Sequence, residues 1–424
     1  MRILLLAPQP FYRERGTPIA NYQMLRALSE RKNTQVDCLV FHLGSDINLP
    51  DVKIHRIPNL KFIKEVGIGF SLKKIICDLF FFFKALSLIK KNEYVIIHAV
   101  EEAVFFAMIF KFLYKIPYVY DLDSSIAQQL VEKLPSMKFL SFFFNWIEAK
   151  AIQGAQVNLP VCLALAELCT KQKSRKTILM PDISLLENSS KNCSGFLKKN
   201  LNIDKKIILY IGNLEKYQGI DLLLESFKIV CQKKNNIDLV IIGGDKKDRD
   251  FYIKKSEILN IKNRTHFLKP IPSIQLDKYL AEADLVVSPR IYGNNTPMKI
   301  FSFLASGKPV IATDIYTHNQ LLTNGEAYLV PPNTTAFAEG INNLIEDDCL
   351  KEIIGRKGKD FIEKNFTYYS HRSRVFRAYD WIESNILLGN NKSFNSFSLN
   401  STTLSFTAFW LIKDYLEMAM SFYS

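Results

Sequence analysis

The sequence predicts an α/β protein built from two parallel-sheet domains. Its 424 residues are too many for one ordinary hydrophobic core. Short apolar runs alternate with amphipathic helical stretches, which is typical of strands and helices in parallel sheets. The alternation breaks at a polar stretch rich in Asn, Ser and Lys, at residues 181–200, and then resumes. We therefore expect one parallel-sheet domain on either side of this connection.

The first domain is predicted at residues 1–185. A helix at residues 19–31 follows the first strand, because apolar side chains recur at helical spacing from Ile19 to Leu28. The strands of this domain are predicted at residues 3–7, 36–41, 95–98, 118–122 and 157–161.

The second domain is predicted at residues 200–365. A helical segment at residues 366–384 follows it and is expected to cross back to the first domain. Residues 385–424 begin as a low-complexity linker and end in an aromatic-rich helical pattern, which could be a dock, a membrane contact or a disordered end. The strands of this domain are predicted at residues 207–211, 239–243, 266–268, 285–288 and 310–313.

The charge of the chain favours an anionic partner. Lysine and arginine together number 55 against 42 acidic residues, which gives a formal net charge of +13. Such an excess is typical of proteins that bind nucleic acid, anionic lipid or a phosphate-bearing substrate, although a composition rich in Lys, Ile and Asn would also produce it. The basic residues form no aromatic-interleaved motif, so we expect no nucleic-acid partner.

The cysteines and the N-terminus favour a cytoplasmic protein. The seven cysteines are scattered and contain no CxxC pair, which argues against a disulfide frame and against a zinc site. MRILLLAPQP is interpreted as a first strand rather than a signal peptide. The aromatic segments at 72–89, 103–120 and 138–146 are too short to span a membrane. We expect them to form buried helices or, alternatively, a peripheral contact with the inner face of the cytoplasmic membrane.

A strand–loop–helix segment, SPRIYGNNTPMKIFSFLASGKPVIATD at residues 288–314, predicts an anion site. Thr296 and Pro297 indicate the start of a helix, with Thr as the N-cap and Pro in the first helical position. The free N–H groups of such a helix bind anions, and Arg290 and Lys299 add positive charge beside them.

The first domain contains a similar loop. FYRERGTPIANYQ follows the first strand and places two arginines before Gly16, Thr17 and Pro18. Because ligands bind at the carboxyl ends of parallel strands, we expect the two Thr-Pro loops to point toward one interdomain cleft. Two further glycine loops, in GNLEKYQGIDLLLESF and IIGGDKKDRD, match neither the dinucleotide nor the P-loop motif.

Together these segments resemble the glycosyltransferases of family 4, two-domain enzymes of the GT-B fold. The resemblance rests on the order of GNLEKYQGIDLLLESF, DLVIIGGD, HFLKPIP, DLVVSPR and GNNTPMKIFSFLASGKPVIATD, and it is specific over residues 206–380. It implies two Rossmann-like domains facing across a cleft, with a nucleotide-diphosphate sugar held by the second and an acceptor held by the first. It also implies transfer with retention of anomeric configuration and without a metal or a cofactor.

The chain departs from the family pattern at its charged landmarks. The family's donor-phosphate Arg and Lys correspond to Asn213 and Gln218, and its paired glutamates correspond to Asn294 and Ser302. The family's N-domain histidine corresponds to Asp123. The resemblance therefore implies a variant subgroup in which other side chains bind the donor. The predicted donor-binding residues are Gly16, Thr17, Asn213, Lys216, Gln218, Gly244, Arg290, Asn294, Asn295, Thr296, Pro297, Lys299 and Ser302.

Two residues of the first domain are candidates for catalysis. Asp123 could act as a base or orient an acceptor or sugar hydroxyl. His98, in HAVEE, is the second candidate, although it could also be a structural histidine at a strand end. In retaining transfer the departing phosphate itself can take the acceptor proton. The predicted function is sugar transfer to a glycan or lipid-linked acceptor, and the alternatives are a non-catalytic scaffold subunit and a sugar-nucleotide epimerase.

Overall fold

The computed structural model describes residues 1–13, 16–67, 71–126, 141–186 and 195–386. The chain divides into two compact units. The first unit comprises Met1–Val161, Leu165–Met180 and the chain from Arg372 onward, and the second comprises Cys162–Ala164 and Pro181–His371.

Each unit is built on a six-stranded parallel sheet. The strands of the first sheet are β1 (Arg2–Leu6), β2 (Gln35–Val40), β3 (Val52–Arg56), β4 (Ile96–Val100), β5 (Tyr118–Leu122) and β6 (Val157–Pro160). The strands of the second sheet are β7 (Lys206–Ile211), β8 (Ile237–Ile242), β9 (Thr265–Leu268), β10 (Leu285–Ser288), β11 (Val310–Thr313) and β12 (Tyr328–Val330). The spatial orders are β3-β2-β1-β4-β5-β6 and β12-β11-β10-β7-β8-β9, so both sheets are doubly wound in the same way.

Helices connect the strands of both sheets. In chain order the described helices are α1 (Gly16–Ser29), α2 (Leu72–Lys91), α3 (Ala103–Tyr114), α4 (Ser141–Gly154), α5 (Leu163–Lys171), α6 (Phe196–Leu201), α7 (Ile220–Lys233), α8 (Lys246–Ile258), α9 (Leu276–Ala281), α10 (Met298–Ala305), α11 (Tyr316–Asn319), α12 (Thr334–Glu346), α13 (Asp348–Asn365) and α14 (Tyr368–Ile386). Strands such as β4 and β8 are buried along their whole length, which explains why they are continuous apolar runs in the sequence.

The ten predicted strands are confirmed, and their ends differ from the observed ones by at most two residues. The sequence patterns missed β3 and β12. Strand β3 is VKIHR, in which none of the five residues is fully buried, so it has no apolar run to mark it. Strand β12 has only three residues, which is too short for a periodic pattern. The predicted tail at 385–424 lies outside the described residues except for its first two residues.

Helix α14, the last helix that the structure describes, packs in the core of the first unit. Val375, Ala378, Tyr379 and Ile382 are buried there together with residues of β1, β2 and β4. Arg31 follows shortly after the end of α1. Its guanidinium donates hydrogen bonds to the carboxylates of Asp380 and Glu383 of α14, at 2.7 and 3.0 Å. Apolar burial and charge-assisted hydrogen bonds therefore attach this helix to the first sheet.

Candidate functional site

The candidate site of the second unit is formed by two loops that follow adjacent strands. The first loop connects β7 to α7 at residues 212–219, and the second connects β10 to α10 at residues 289–297. Strands β7 and β10 are hydrogen-bonded neighbours, so both loops emerge at the same carboxyl edge of the sheet. The backbone N–H of Ile291 donates to the carbonyl of Tyr217 at 3.0 Å and joins the two loops directly.

Gly219 allows the two loops to approach each other closely. It has a φ of +74°, in the left-handed region that side chains other than glycine adopt with strain. A Cβ atom at this position would overlap the carbonyl oxygen of Pro289 in the other loop. The glycine therefore satisfies both a backbone conformation and a packing constraint.

Arg290 is held by its own loop and by an aromatic ring. Its Nε donates to the carbonyl oxygen of Tyr292 at 3.2 Å, and one terminal nitrogen donates to the carbonyl oxygen of Asn295 at 2.9 Å. The guanidinium carbon lies 4.8 Å from the centroid of the Tyr217 ring, which is a cation–π distance. Burial lowers the pKa of Arg290, but a guanidinium keeps its charge at any ordinary pH.

Lys299, in the first turn of α10, lies beside the same loops. Its Nζ donates to Oε1 of Gln218 at 2.9 Å and lies 4.1 Å from the centroid of the Tyr210 ring. A Cβ built on Gly212 would lie 3.0 Å from this nitrogen, so the glycine leaves space for the lysine. Burial, followed by the positive charge of Arg290, lowers the pKa of Lys299 well below its ordinary value.

The two cations lack a carboxylate partner. In the described part of the chain, neither Arg290 nor Lys299 forms an ion pair, and their hydrogen-bond acceptors are backbone carbonyls and the Gln218 amide. Glu215 acts on Arg290 only through its charge, and its side chain is exposed. Two neighbouring cations with neutral partners form a binding site for an anion.

The predicted start of helix α10 is wrong by one residue. The helix begins at Met298, and Pro297 occupies the N-cap position with φ −66° and ψ 124°. Thr296 is buried, and no side chain caps the helix. In the first unit, α1 begins at Gly16, so Thr17 and Pro18 lie in its first turn and not before the predicted helix at 19–31. Threonine and proline thus mark both helix starts, but not in the cap and first positions that the pattern predicted.

Ser302, one of the predicted donor-binding residues, is buried in the second unit. Its side chain is only 1% exposed, and its hydroxyl accepts a hydrogen bond from the backbone N–H of Leu185 at 3.0 Å. Ser302 thus joins the segment before α6 to α10, and a contact with the donor remains a prediction for this residue.

The asparagines of the second loop lie at its surface. Asn294 is exposed, and its carbonyl oxygen accepts a hydrogen bond from the Gln320 side chain at 2.6 Å. Asn295 is half-buried, and its backbone carbonyl holds Arg290. Asn294 thus remains a predicted donor contact at an accessible position, whereas the structure shows Asn295 organising the loop.

The remaining predicted residues of the second unit lie near the first loop. Asn213 is exposed and donates from its side chain to the Tyr217 hydroxyl at 3.4 Å. Lys216 is exposed in the 3-10 turn Lys216–Gln218, in the same loop as Gln218. Gly244 has a φ of +65°, and a Cβ there would lie 2.5 Å from Leu214. The structure thus brings these residues to one edge of the sheet, and their contacts with a donor remain predictions.

Two aromatic rings of the site were missed by sequence reasoning. Tyr210 lies inside the apolar strand β7, where its sequence context indicates an ordinary core residue. Tyr217 follows in the first loop without a periodic pattern. No local signal shows that Lys299 and Arg290 lie over these rings, because both contacts join residues more than seventy positions apart.

His318 packs beneath the second loop, against the ends of β10 and β11. It is fully buried between Ser288, whose hydroxyl is 2.9 Å from its Nε2, and the backbone carbonyl of Thr313, 2.9 Å from its Nδ1. Burial lowers its pKa to about 3, so the ring is neutral. The Thr313 hydroxyl donates to the carbonyl of Arg290, which connects this network to the loop backbone.

In the first unit, the predicted catalytic residue His98 lies in the core, and its role in catalysis remains a prediction. The imidazole is completely buried, with Nδ1 2.8 Å from the Tyr379 hydroxyl and Nε2 3.1 Å from a carboxylate oxygen of Asp121. Both ring nitrogens thus join β4 to β5 and α14. Asp123 is half-buried just after β5, so its role remains a prediction.

Gly16 and Thr17 lie at the start of α1 in the first unit. Gly16 is exposed, and a Cβ built there would meet no atom within 4 Å. Thr17 is half-buried. The accessible position is compatible with a ligand contact, which remains a prediction for both residues.

In the ranges that the structure describes, no group of three or more His, Cys, Asp or Glu side chains is arranged to hold a metal ion. Likewise, none of the helices that the structure describes combines the length and the hydropathy needed to span a bilayer.

Comparison with known sequences gives a family match that lies within the second unit. Residues 196–361 match the family described as "Glycosyl transferases group 1". The capsular polysaccharide biosynthesis glycosyltransferase CapM of Staphylococcus aureus is 29% identical over 178 residues, which cover 39% of this chain and 43% of CapM. Phosphatidyl-myo-inositol mannosyltransferase of Mycobacterium leprae is 24% identical over 42% of this chain and 47% of its own. The chain thus spans less than half the length of these curated relatives.

Solved structures extend the similarity to the whole fold. Sucrose-phosphate synthase from Thermosynechococcus elongatus is similar with a TM-score of 0.72, at 17% identity, over 90% of this chain and 99% of its own. Anabaena HepE in complex with UDP has a TM-score of 0.69, at 17% identity, over 90% of this chain and 100% of its own. The predicted GT-B class, with two Rossmann-like parallel sheets, is confirmed, and so is the resemblance to group 1 glycosyltransferases.

Proposed function

Because residues 196–361 carry a group 1 glycosyl transferase domain, we propose that this protein is a retaining glycosyltransferase. It moves a sugar from a nucleotide-diphosphate donor to a glycan or lipid-linked acceptor. The observation that carries the proposal is the pair Arg290 and Lys299, two neighbouring cations that the described chain leaves without a carboxylate. A diphosphate supplies the negative charge that this edge of the second sheet lacks.

Electrostatic stabilisation of the leaving group is the chemical task of the site. As the bond between the sugar and the diphosphate breaks, negative charge grows on the departing phosphate oxygen. Arg290 and Lys299 are held in place by Tyr217, Tyr210 and Gln218, so little reorganisation is needed when that charge appears. The N–H groups of Met298 and Lys299 precede the bond from the Ile300 N–H to the carbonyl of Pro297 at the start of α10, and they add further donors.

The acceptor must lose a proton during transfer. In the retaining reaction the departing phosphate oxygen can accept this proton while the acceptor oxygen bonds to the sugar carbon. Asp123 is the remaining protein candidate for orienting an acceptor hydroxyl or accepting its proton, because His98 is enclosed.

Donor binding and turnover test this proposal. The protein is titrated with UDP-, GDP- and TDP-sugars by calorimetry and then incubated with each donor and a panel of glycan and glycolipid acceptors. UDP-sugars come first, because a solved relative of the same fold contains UDP. The expected result is binding of at least one donor, with release of its nucleoside diphosphate and a product of unchanged anomeric configuration. Failure of every donor to bind would contradict the proposal.

A non-catalytic subunit is the second candidate. It is favoured by the absence of carboxylates at Asn294 and Ser302, the positions of the family's paired glutamates. Such a subunit would bind a donor and release no nucleoside diphosphate with any acceptor, alone or together with a partner transferase. The same assays therefore separate the two functions.

We also propose that the protein works at the inner face of the cytoplasmic membrane as a peripheral protein. Helices α2, α3 and α4 expose Phe83, Phe112, Phe142 and Trp146, and Phe142 is 82% exposed. These helices are neighbours, since Phe82 of α2 stacks on Phe110 of α3 at 5.3 Å and Lys111 of α3 bonds to the end of α4. Exposed aromatic side chains on a protein of net charge +13 are suited to an anionic lipid surface.

Vesicle sedimentation at low salt tests this contact. We expect the protein to bind vesicles that contain phosphatidylglycerol and to bind phosphatidylcholine vesicles far less. The double variant Phe142→Ser, Trp146→Ser is expected to lose binding, whereas Phe251→Ser, which removes an exposed ring of the second unit, is expected to keep it. Equal binding by both variants and the unchanged protein would contradict the assignment of this surface.

A further inference from the structure

We propose that Gln320 is a positioning residue of the donor site: it holds the tip of the second loop so that the Asn294 side chain meets the hydroxyl groups of the transferred sugar. The second loop is the segment at residues 289–297, which connects β10 to α10. Gln320 follows α11 and is not among the donor-binding residues predicted from the sequence. This inference rests on the proposed donor site and identifies a residue that shapes its sugar-binding part.

The side-chain amide of Gln320 joins two segments of the second unit. Its Nε2 donates to the backbone carbonyl of Asn294 at 2.6 Å, and its Oε1 accepts from the backbone N–H of Ala164 at 3.1 Å. Ala164 is the second residue of α5 and belongs to Cys162–Ala164, the short segment that groups with the second unit. Its N–H lies in the first turn, where a helix offers no carbonyl of its own. One amide therefore caps α5 and holds a carbonyl of the second loop.

Cys162 contacts the same tip of the loop. Its Sγ lies 3.9 Å from the backbone carbonyl oxygen of Asn294 and 3.8 Å from Oδ1 of Asn295. The thiol is buried, and an S–H group is only a weak hydrogen-bond donor. The Gln320 amide, at 2.6 Å, is therefore the stronger of these two partners of the Asn294 carbonyl.

The part of the loop to which we assign the diphosphate is held by other contacts. The Arg290 guanidinium donates to the carbonyl oxygen of Tyr292 at 3.2 Å and lies over the Tyr217 ring. The backbone carbonyl of Arg290 accepts from the Thr313 hydroxyl. None of these bonds involves Gln320. Loss of the Gln320 amide is therefore expected to displace the tip of the loop and to leave the Arg290 guanidinium in place.

Asn294 suits a ligand that carries hydroxyl groups. The residue is exposed, and its side-chain amide offers both donors and an acceptor, which hydroxyl groups can match. In the chain it lies between Arg290 and Lys299, the two cations to which we assign the diphosphate. In a nucleotide sugar the ring bonded directly to the diphosphate is the transferred sugar, whereas a methylene group separates the ribose ring from it. We therefore assign Asn294 to the hydroxyl groups of the sugar.

Paired calorimetric titrations with UDP-glucose and UDP test the positioning role. The two ligands share the nucleoside and the diphosphate, so the ratio of their association constants reports the contribution of the sugar. Gln320→Met removes both hydrogen bonds at a similar side-chain volume and adds no charge. We expect the ratio to fall by about 5-fold, the usual contribution of one hydrogen bond, while the affinity for UDP changes by less than about 2-fold.

Two further variants control this substitution. Gln320→Glu keeps the acceptor for the Ala164 N–H but cannot donate to the Asn294 carbonyl, so the ratio is expected to fall again. This variant decides the question if thermal unfolding shows that Gln320→Met is not folded. Gln275→Met makes the same change at a half-buried glutamine in the turn Ser273–Gln275 before α9, and it is expected to leave the ratio unchanged.

A double-mutant cycle separates positioning from a merely structural role. A positioning residue acts through the residue that it positions. Gln320→Met is therefore expected to cause no further fall in the ratio when it is combined with Asn294→Ala. A contribution of Gln320 that is independent of Asn294 would be lost equally in both backgrounds, and this result would overturn the inference.

The outcomes also separate this inference from the proposed function. An unchanged ratio in both Gln320 variants would overturn the positioning role and leave the donor site intact, whether or not the affinity for UDP falls. If UDP-glucose does not bind, the pairs GDP-mannose with GDP and TDP-glucose with TDP take its place. If none of these nucleotide sugars binds, the proposed donor site fails and the positioning role fails with it.

Discussion

Arg290 combines two tasks in one side chain. Its hydrogen bonds to the carbonyls of Tyr292 and Asn295 hold the loop before α10, and its guanidinium lies over the Tyr217 ring. The planar guanidinium still has donors to offer a phosphate, because five N–H groups exceed the two bonds it makes here. An arginine can thus organise a loop and bind the ligand of that loop at once.

We predict that Arg290→Ala weakens donor binding by about 10- to 100-fold, the usual contribution of hydrogen bonds to a charged group. Titration calorimetry with UDP-glucose measures the change. Arg290→Lys keeps the charge but cannot bond both carbonyls, so we expect an intermediate loss.

Ser302→Ala is the matched control for this prediction. Because the Ser302 hydroxyl accepts from Leu185, its removal is expected to cost about 1 kcal/mol of stability and to leave donor affinity nearly unchanged. A larger loss of donor affinity in Ser302→Ala than in Arg290→Ala would show that the phosphates are misplaced in our account.

His98 is expected to stabilise the first unit rather than act in catalysis. Its replacement by alanine leaves the buried groups of Asp121 and Tyr379 without a partner. We predict that His98→Ala lowers the free energy of unfolding by about 1 to 3 kcal/mol and leaves donor affinity unchanged. Chemical denaturation followed by circular dichroism measures the first quantity. Abolished turnover at unchanged stability would instead support the catalytic role predicted from the sequence.

At the scale of elements, the approach of the two site loops depends on Gly219. We predict that Gly219→Ala destabilises the second unit by about 1 to 3 kcal/mol, because alanine at a φ of +74° is strained and its Cβ overlaps Pro289. Separation of the loops should also weaken donor binding. Thermal unfolding and donor titration measure the two effects.

Gly325→Ala is the control for the Gly219 variant. A Cβ at Gly325 would meet only the Thr323 hydroxyl, at 3.4 Å, and no positive φ is imposed there. We therefore expect little change in stability or donor affinity. Equal tolerance of alanine at both glycines would contradict the close contact of the loops.

Each of the two sheets contains its own ion cluster, and the two clusters are composed of the same types of side chain. In the first sheet, Asp37 of β2 accepts from Arg2 at 2.9 Å and lies 2.6 Å from His55, which pairs with the residue two positions after Asp37. In the second sheet, Asp238 of β8 accepts from Lys205 at 3.3 Å and lies 2.9 Å from His266, again paired two positions after the aspartate. The two sheets thus repeat the same arrangement of an aspartate, a histidine and a basic side chain.

The ion cluster around Asp37 predicts that the stability of the protein falls at acidic pH. Burial alone would raise the pKa of Asp37, but hydrogen bonds from His55, Arg2 and Tyr94 outweigh burial and lower it. A carboxylate with a lowered folded-state pKa contributes stability above its unfolded-state pKa of about 4, and this contribution is lost as pH falls through the folded-state value.

We predict that Asp37→Asn lowers the melting temperature at neutral pH and flattens its decline on acidification. Melting temperatures measured between about pH 7 and about pH 3 test this. Asp46→Asn, which changes an exposed aspartate paired with Arg56, serves as the control and should keep the decline of the unchanged protein. An equally steep decline in both variants would show that Asp37 does not carry the acid dependence.

Sequence patterns predicted the elements better than the contacts. Ten strands follow from their apolar runs, because a strand buried on both faces is recognisable from local composition. The role of His98 depends on Tyr379, and the role of Ser302 depends on Leu185, residues that are distant in the chain. Local periodicity contains no information about such partners, so the burial and the hydrogen bonds of this histidine and this serine could not be predicted from the sequence.

At the scale of the whole molecule, the two units carry the family signature unequally. The family match is confined to residues 196–361, inside the second unit, where Arg290 and Lys299 also lie. The first unit shares its sheet order with the second and carries the exposed aromatic surface of α2, α3 and α4. Under our proposals, the donor site belongs to the second unit and the contact with lipid to the first.

The central claim is that a donor diphosphate binds to Arg290 and Lys299. A crystal structure of the complete chain with UDP tests it most directly. Our account predicts phosphate oxygens within hydrogen-bond distance of the Arg290 guanidinium and of Lys299 Nζ, at the start of α10. A bound UDP whose phosphates contact neither side chain, while Lys299 keeps its bond to Gln218, would contradict the account.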